Sequence, residues 1–262
     1  MDKKGEIDLL TQIINPDIGI ITNISYAHSK NFKNINGIAS AKAEIIKNIR
    51  PNGTIILNGD DHFFNFHKKI ALKRKLKILS FGINNQSLST KLLKIEKLNN
   101  KFKFVIKLEN RPYSFYSKNN NKSNIYNILA SLTLINIFKN LNKVNKNVFL
   151  NFKSPEGRGD LSKIKLANKN IMLVDETYNS NPLSLKIAIE NFDKIEKVKS
   201  KKYLVLGDML ELGKHSIKQH KLIGKILNRS NIHKIYVYGK YIKETFKSLK
   251  INKKAKILNK KL

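Results

Sequence analysis

The sequence predicts an α/β protein of two domains, residues 1–153 and residues 154–262. Short, continuously apolar segments alternate with segments of helical periodicity, which is typical of a parallel sheet with helical crossovers. Residues 154–160 (SPEGRGD) combine proline, glycine and charge, a composition typical of a linker. With 262 residues the chain is long enough to build a hydrophobic core in each domain.

The first domain is predicted to begin with alternating helices and strands. Continuous apolar runs, typical of buried parallel strands, are found at residues 18–22, 53–57 and 76–81. Helical segments are predicted at residues 5–15, 38–49 and 62–72. Pro16 stops the first of these helices. Because ligands bind outside the carboxyl ends of strands in open α/β sheets, the loop after residue 22 is a candidate for a site.

Residues 88–117 follow a different pattern, in which apolar and polar residues alternate. This alternation predicts an antiparallel hairpin with one solvated face and a turn at residues 110–112. Such a hairpin commonly lies at the edge of a parallel sheet. An amphipathic helix then spans residues 125–135, with Ser123 as a candidate N-cap.

The second domain is predicted to contain three consecutive strand–helix units. The strands are predicted at residues 171–174, 203–206 and 235–238, and the helices at residues 182–195, 216–227 and 240–249. Three such units imply one parallel sheet with right-handed crossovers. No closing strand is evident after residue 249, so this domain is expected to be cut short.

The charge of +32 raises the question of a nucleic-acid partner. Of the 51 basic residues only five are arginines, and the lysines are scattered through every segment. Nucleic-acid surfaces also use arginine for bidentate contacts, so AT-rich coding is the better explanation and no nucleic-acid partner is expected. The absence of cysteine excludes disulfides and thiolate sites. Without a signal peptide or an apolar run of spanning length, a cytoplasmic protein with no membrane partner is expected.

Two polar residues near the loop after residue 22 are candidates for chemistry. His28 lies in the loop, and Lys42 lies beside an apolar stripe on the next helix. By themselves they are more typical of a surface or capping histidine and a solvated helical lysine than of a catalytic site.

Seven short phrases in order carry a family resemblance. They are residues 22–28 (TNISYAH), 41–45 (AKAEI), 58–61 (NGDD), 124–130 (NIYNILA), 157–159 (GRG), 175–182 (DETYNSNP) and 207–213 (GDMLELG). Together they resemble the Mur ligases of peptidoglycan synthesis, over nearly the whole chain. The last two phrases point to the member that adds D-alanyl-D-alanine to UDP-N-acetylmuramoyl-tripeptide.

The resemblance implies a partial ATP-binding central domain of mononucleotide-binding type, residues 1–153, and a partial Rossmann-like C-terminal domain, residues 154–262. It implies an amide ligase that uses ATP and Mg²⁺. ATP would phosphorylate the terminal carboxylate of the tripeptide, and the amine of D-alanyl-D-alanine would attack the acyl phosphate.

The resemblance also implies catalytic and metal-binding roles for two residues. His28 matches a histidine that ligates magnesium. Lys42 matches a lysine that is carbamylated in several members, which converts a cation into a carboxylate-like ligand. Partial burial of Lys42 would favour this reaction by lowering its pKa; the alternative is an ordinary solvated lysine.

Five residues are matched to ATP. Asn124 and Asn127 match asparagines beside the adenine, although Asn124 is also a candidate helix cap. Arg158 matches a linker arginine that reaches the nucleotide phosphates, the alternative being a solvated charge. Asp175 and Glu176 match acids near the ribose, with Glu176 standing where the family usually has aspartate.

Four further residues are matched to the substrates. Asn179 and Asn181 match residues at the closing interface, or serve as caps of the next helix. Asp208 or Glu211 would hold the ammonium of the incoming dipeptide, the alternative being a turn with solvated acids.

The family's phosphate-binding loop, G-x-x-G-K-[ST], is absent from the sequence. The loop's amides and lysine stabilise the transferring phosphoryl group, so we expect this polypeptide alone neither to hydrolyse ATP nor to ligate its substrates. A separately encoded N-terminal half would then be a partner. The alternatives are a decaying gene and a non-catalytic basic fragment that binds nucleotide or nucleic acid.

Overall fold

The computed structural model describes residues 1–27, 29–85, 87–152, 156–195 and 200–259. It divides into two compact units. The first comprises Met1–Ile24 and Phe32–Lys153, and the second comprises Ser25–Asn31 and Ser154–Leu262. Each unit has its own hydrophobic core. In the part of the chain that is described, no helix is long and apolar enough to cross a bilayer.

The first unit is built on one six-stranded sheet, in which the strands follow one another in chain order. The strands are β1 (Ile18–Ile21), β2 (Thr54–Asn58), β3 (Lys77–Gly82), β4 (Thr90–Leu98), β5 (Lys101–Leu108) and β6 (Arg111–Ser117). Strands β1 to β4 pair in parallel, and β4, β5 and β6 pair antiparallel. The predicted parallel strands and the antiparallel edge are confirmed, although the edge has three strands rather than the two of a hairpin.

Helices connect the strands of the first unit. They are α1 (Glu6–Ile14), α2 (Ile35–Lys42), α3 (Glu44–Lys47), α4 (Phe64–Lys73) and α5 (Lys122–Phe138), followed by a short 3-10 helix at Leu141–Lys143. The helix predicted at residues 38–49 is divided at Ala43. Just after this division the buried Glu44 carboxylate accepts from the backbone N–H groups of Gly5 and Asp8. Glu44 thereby caps α1, whose own N-cap glycine has no side chain.

Two local predictions in the first unit are wrong. The N-cap of α5 is Asn121, whose Oδ1 accepts from Asn124 N at 2.7 Å, and Ser123 lies inside the helix. The turn between β5 and β6 lies at Glu109 and Asn110, both with positive φ. Pro112 is instead part of β6, an edge strand, where a residue without an N–H is tolerated.

The second unit contains two separate sheets. Strands β7 (Asp160–Leu166) and β8 (Lys169–Asp175) form an antiparallel pair. Strands β9 (Tyr203–Gly207), β10 (Lys234–Tyr238) and β11 (Lys254–Ile257) form a parallel sheet in the order β11-β10-β9. The helices are α6 (Pro182–Asp193), α7 (Ser216–Arg229) and α8 (Lys243–Ser248), with 3-10 helices at Ser29–Asn31, Gly213–His215 and Ile251–Lys253.

The sheet predicted for the second unit differs from the observed sheet in its first and its last strand. Strand β8 pairs with β7 rather than with the parallel strands, because a tight turn with Ala167 at φ 51° folds the chain back on itself. A closing strand does exist, since β11 pairs in parallel with β10. Four residues (KAKI) are too few to show a periodicity in the sequence. Helices α6 and α7 are confirmed, and α8 is shorter than predicted.

Candidate active site

In the first unit, three polar side chains form hydrogen bonds with the backbone just after β1. Lys42 Nζ donates to Asn23 O at 2.8 Å, from the last residue of α2. Asn58 Nδ2 donates to the carbonyl of residue 22 at 2.9 Å, and Asp61 Oδ2 accepts from the N–H of residue 24 at 2.8 Å. Asn58 is the last residue of β2 and Asp61 lies three residues after it, so the carboxyl ends of two neighbouring parallel strands are joined by hydrogen bonds.

In the sequence, Asn58 and Asp61 belong to a family phrase, residues 58–61, and no role was predicted for either residue. Their place was nevertheless predictable, because polar residues directly after adjacent parallel strands converge on one edge of the sheet. The sequence does not show their partners, which lie 36 and 37 residues earlier in the chain.

The surroundings of Lys42 make its amine easier to deprotonate than that of an exposed lysine. Burial lowers the pKa of its amine, and the nearby Asp61 carboxylate acts in the opposite direction without cancelling the effect. A lysine with a lowered pKa has more neutral amine at a given pH, and the neutral amine is the form that reacts with carbon dioxide. The partial burial expected of Lys42 is therefore found.

The metal role expected of His28 falls outside the described residues. Within the described ranges no group of three or more histidines, aspartates or glutamates is placed to hold a metal ion. An ammonium on Lys42 is not a metal ligand. The described residues therefore do not by themselves fit a magnesium ion.

The two asparagines matched to adenine lie on α5, one helical turn apart. The Nδ2 of Asn124 donates to Ser117 Oγ at 3.2 Å and to Asn119 O at 2.6 Å. Its amide thus fixes the segment between β6 and α5, and it is not the cap of this helix. Asn127 is exposed, so its amide faces solvent.

Arg158 lies in a turn between two glycines of positive φ in the second unit. Its guanidinium carbon is 4.2 Å from the centre of the Tyr178 ring, a cation–π contact that orients the planar group. Tyr178 N also donates to Gly157 O at 3.1 Å. A Cβ on Gly157 would lie 2.7 Å from Tyr178 N, so this position requires glycine.

The acids matched to the ribose lie at the end of β8, where Asp175 is the last residue of the strand and Glu176 follows it. Asp175 Oδ1 accepts from Thr177 N at 2.9 Å, and the hydrogen bonds from the side chain and backbone of Thr177 lower the pKa of this carboxyl. Glu176 is exposed. Asp175 is thus held by a local turn.

The two asparagines of the next loop differ in their local roles. Asn181 is the N-cap of α6, where its side chain accepts from the N–H groups of Leu183 and Ser184 in a capping box. Asn179 is not a cap of this helix, since its Oδ1 accepts from Ser180 N at 2.7 Å. The capping interpretation is therefore confirmed for Asn181 alone.

The loop after β9 holds the two acids matched to the dipeptide amine. Both carboxylate oxygens of Asp208 accept backbone hydrogen bonds, from Lys240 N at 2.8 Å and from Ile242 N at 2.7 Å. These donors follow β10, so Asp208 joins the ends of two neighbouring parallel strands. Glu211 is exposed and has a left-handed backbone, with φ 59°.

A buried histidine that sequence reasoning missed holds the same loop. His220 Nε2 accepts from Met209 N at 3.1 Å, so its Nδ1 carries the proton donated to Ser216 O at 2.7 Å. The side chain is fully buried, and this burial lowers its pKa. His220 is therefore a neutral brace for the loop, and no sequence motif marks it.

Comparison with known protein families identifies the class of protein to which the chain belongs. The model of the Mur ligase middle domain matches residues 1–135, and that of the Mur ligase glutamate ligase domain matches residues 161–261. The chain belongs to the Mur ligase family, whose members are ATP-dependent ligases.

Individual relatives show which members of this family the chain is similar to. The chain is 33% identical to the UDP-N-acetylmuramoyl-tripeptide--D-alanyl-D-alanine ligase of Buchnera aphidicola subsp. Baizongia pistaciae, over 98% of this chain and 56% of that protein. It is 31% identical to the Bacillus subtilis enzyme of the same name, over 92% of this chain and 50% of that protein. The chain spans about half the length of the curated relatives it matches.

Solved structures share the same architecture. MurF from Acinetobacter baumannii superposes with a TM-score of 0.84 at 25% identity, covering 98% of this chain and 54% of that protein. The MurF ligase of Thermotoga maritima in complex with ADP superposes with a TM-score of 0.80 at 23% identity, covering 98% and 56%. These likenesses confirm the predicted α/β architecture of a Mur ligase middle domain followed by a C-terminal domain.

Proposed function

We propose that this chain contributes to a ligase that adds D-alanyl-D-alanine to UDP-N-acetylmuramoyl-tripeptide. ATP would activate the tripeptide carboxylate as an acyl phosphate, and the dipeptide amine would displace phosphate. The observation that carries the proposal is a relative of that name, matched over 98% of the chain. Residues 1–153 would serve as the ATP-binding domain and residues 154–262 as the C-terminal domain.

The proposed role of Lys42 rests on its local environment. Its neutral amine would add to carbon dioxide with release of one proton, giving a carbamate at the carboxyl end of β1. Burial supports this step by lowering the pKa of the amine. When bound, magnesium would neutralise charge on the transferring phosphoryl group. His28 and carbamylated Lys42 remain its proposed ligands.

The remaining assignments are proposals of the same kind. Asn127 would contact the base through its exposed amide, and Asn124 would support the helix that carries it. Arg158 would bind phosphate with a guanidinium oriented by Tyr178, with Asp175 or Glu176 near the ribose. Asp208 or Glu211 would receive the dipeptide ammonium; each oxygen of Asp208 already accepts one backbone hydrogen bond and keeps a second lone pair.

A chimaera tests the proposed function. This chain would replace the matching half of the Buchnera aphidicola ligase, and ADP release would be measured. We expect ADP release that requires both UDP-N-acetylmuramoyl-tripeptide and D-alanyl-D-alanine. Lys42→Met is expected to lower kcat by about a hundredfold, since a group that stabilises developing charge would be lost.

The matched control is Lys69→Met, which removes an exposed lysine of α4 and should leave kcat unchanged. Labelled bicarbonate should give a carbamate signal in ¹³C NMR that Lys42→Met abolishes. A folded chimaera that releases no substrate-dependent ADP, while the intact relative does, would contradict the proposed function.

A further inference from the structure

A single carboxylate organises the loop that follows β3 in the first unit. Asp60 lies two residues after β2 and accepts from three successive backbone N–H groups. The distances are 2.5 Å from Ile83 N to Oδ2, and 3.1 Å from both Asn84 N and Asn85 N to Oδ1. Three consecutive amides turned towards one anion form a concave backbone arrangement that is typical of anion binding. Here the anion is supplied by the protein itself.

The same carboxylate reaches the helix that carries Asn127. Tyr126 Oη donates to Asp60 Oδ2 at 2.9 Å, 66 residues away in the chain. The Tyr126 ring also makes an edge contact with Phe81, at 6.5 Å between ring centres. Asp60 therefore joins the end of β2, the loop after β3 and the first turns of α5.

The charge state of this cluster is well defined. Burial alone would raise the pKa of Asp60, but the hydrogen bonds from the loop amides and Tyr126 outweigh it and the pKa is lowered. Burial and the adjacent carboxylate raise the pKa of Tyr126. At neutral pH the contact is thus a phenol donating to a carboxylate, which is stronger than a bond between neutral groups.

Gly82 makes the close approach of Asp60 possible. A Cβ at this position would lie 2.6 Å from Asp60 Oδ2. Any other residue at position 82 would push the carboxylate away from the amides that follow it. Gly82, Asp60 and Tyr126 therefore act as one clamp, defined here as the Asp60 clamp.

We propose that Asp60 and Tyr126 are positioning residues for recognition of an adenine base, because their clamp fixes the loop carrying Asn84 to the helix carrying Asn127. The inference rests on the proposed function. The side chains of Asn84 and Asn127 are both exposed. An amide both donates and accepts, which suits the edge of adenine, and the energy of such a contact depends on how firmly the amide is held.

The test uses the full 262-residue chain with adenosine and guanosine as probes. These nucleosides report on base recognition without any contribution from phosphate binding. Affinities would be measured by NMR titration for the wild type and for Tyr126→Phe. This substitution keeps the ring and its packing but removes the hydroxyl. We expect adenosine affinity to fall about tenfold, because groups no longer held by the clamp must be ordered on binding, with a smaller change for guanosine.

Two further variants separate positioning from simple stabilisation. Tyr113→Phe is the matched control, because Tyr113 packs on the same core cluster; it should leave the ratio of adenosine to guanosine affinity unchanged. Asp60→Asn should speed amide hydrogen exchange at Ile83, Asn84 and Asn85 and lower the same ratio. If this variant does not fold, Tyr126→Phe still decides the question.

The outcomes distinguish the two proposals. If the wild type selects adenosine and Tyr126→Phe selects it equally well, the positioning role is overturned and the proposed function stands. If the wild type binds neither nucleoside or does not discriminate between them, the positioning role is overturned, and the proposed function is still decided by ADP release from the chimaera. A tenfold loss in Tyr126→Phe, with Tyr113→Phe unaffected, supports the clamp.

Discussion

The loops that follow β1 and β9 lie at equivalent places, each at the carboxyl end of a parallel strand. In the first unit, Lys42, Asn58 and Asp61 reach from other elements and hold the backbone of the loop. In the second unit, Asp208 belongs to the loop itself and reaches outward to the chain after β10. The sequence suggested a ligand contact for both Lys42 and Asp208. The comparison teaches that an acid directly after a strand can hold neighbouring backbone in place, so its position alone does not identify it as a ligand.

The largest loss of stability is expected from removing the Asp208 carboxylate, which holds the loop after β9 to the chain after β10. Asp208→Ala leaves the N–H groups of Lys240 and Ile242 without their acceptors, at a cost of about 3 kcal/mol of unfolding free energy. Urea unfolding, followed by a probe in the second unit, measures this loss. Glu211→Gln is the control, and as a surface change it should cost less than about 0.5 kcal/mol. Equal losses in the two variants would contradict the distinction drawn between these acids.

An intermediate change in stability is expected when the pH is lowered, because each unit contains a buried histidine. Burial lowers the pKa of both His67 and His220 from the ordinary value of 6.5. The unfolded chain therefore binds protons more readily, so the stability from each neutral ring is complete above about pH 6.5 and is lost as pH falls towards the lowered pKa. Unfolding at about pH 7.5 and pH 5 should show weaker pH dependence in His220→Gln and His67→Gln than in the wild type. If the NMR signals of His67 and His220 in the wild type titrate above pH 6.5, this prediction is refuted.

The smallest effect on stability is expected at Lys42. Lys42→Met keeps the apolar stem but loses one hydrogen bond to Asn23 O, at a cost of about 1 kcal/mol or less. Thermal unfolding followed by circular dichroism measures this difference, with Lys69→Met as the exposed control. A loss as large as that of Asp208→Ala would make Lys42 a structural brace and weaken its proposed chemical role.

The sequence was sufficient for most elements of the first unit. Continuous apolar runs and helical spacing are local properties, so the parallel strands β1 to β3 and helices α1, α4 and α5 were predictable. The family phrases were sufficient for the class of protein, because each keeps its order along the chain. Partial burial of Lys42 followed from the apolar stripe beside it.

Hydrogen-bond partners were not predictable in this way. Asp208 bonds residues 32 and 34 positions later, Asp60 reaches Tyr126 66 positions later, and His220 braces a loop through its ring. Strand β11 and the pairing of β8 with β7 also depend on which backbone groups meet. Residue type and spacing specify what a side chain can donate or accept. Which donor it contacts depends on how the chain folds. The fold therefore decided that Asp208 is held by backbone hydrogen bonds while Asn127 is exposed.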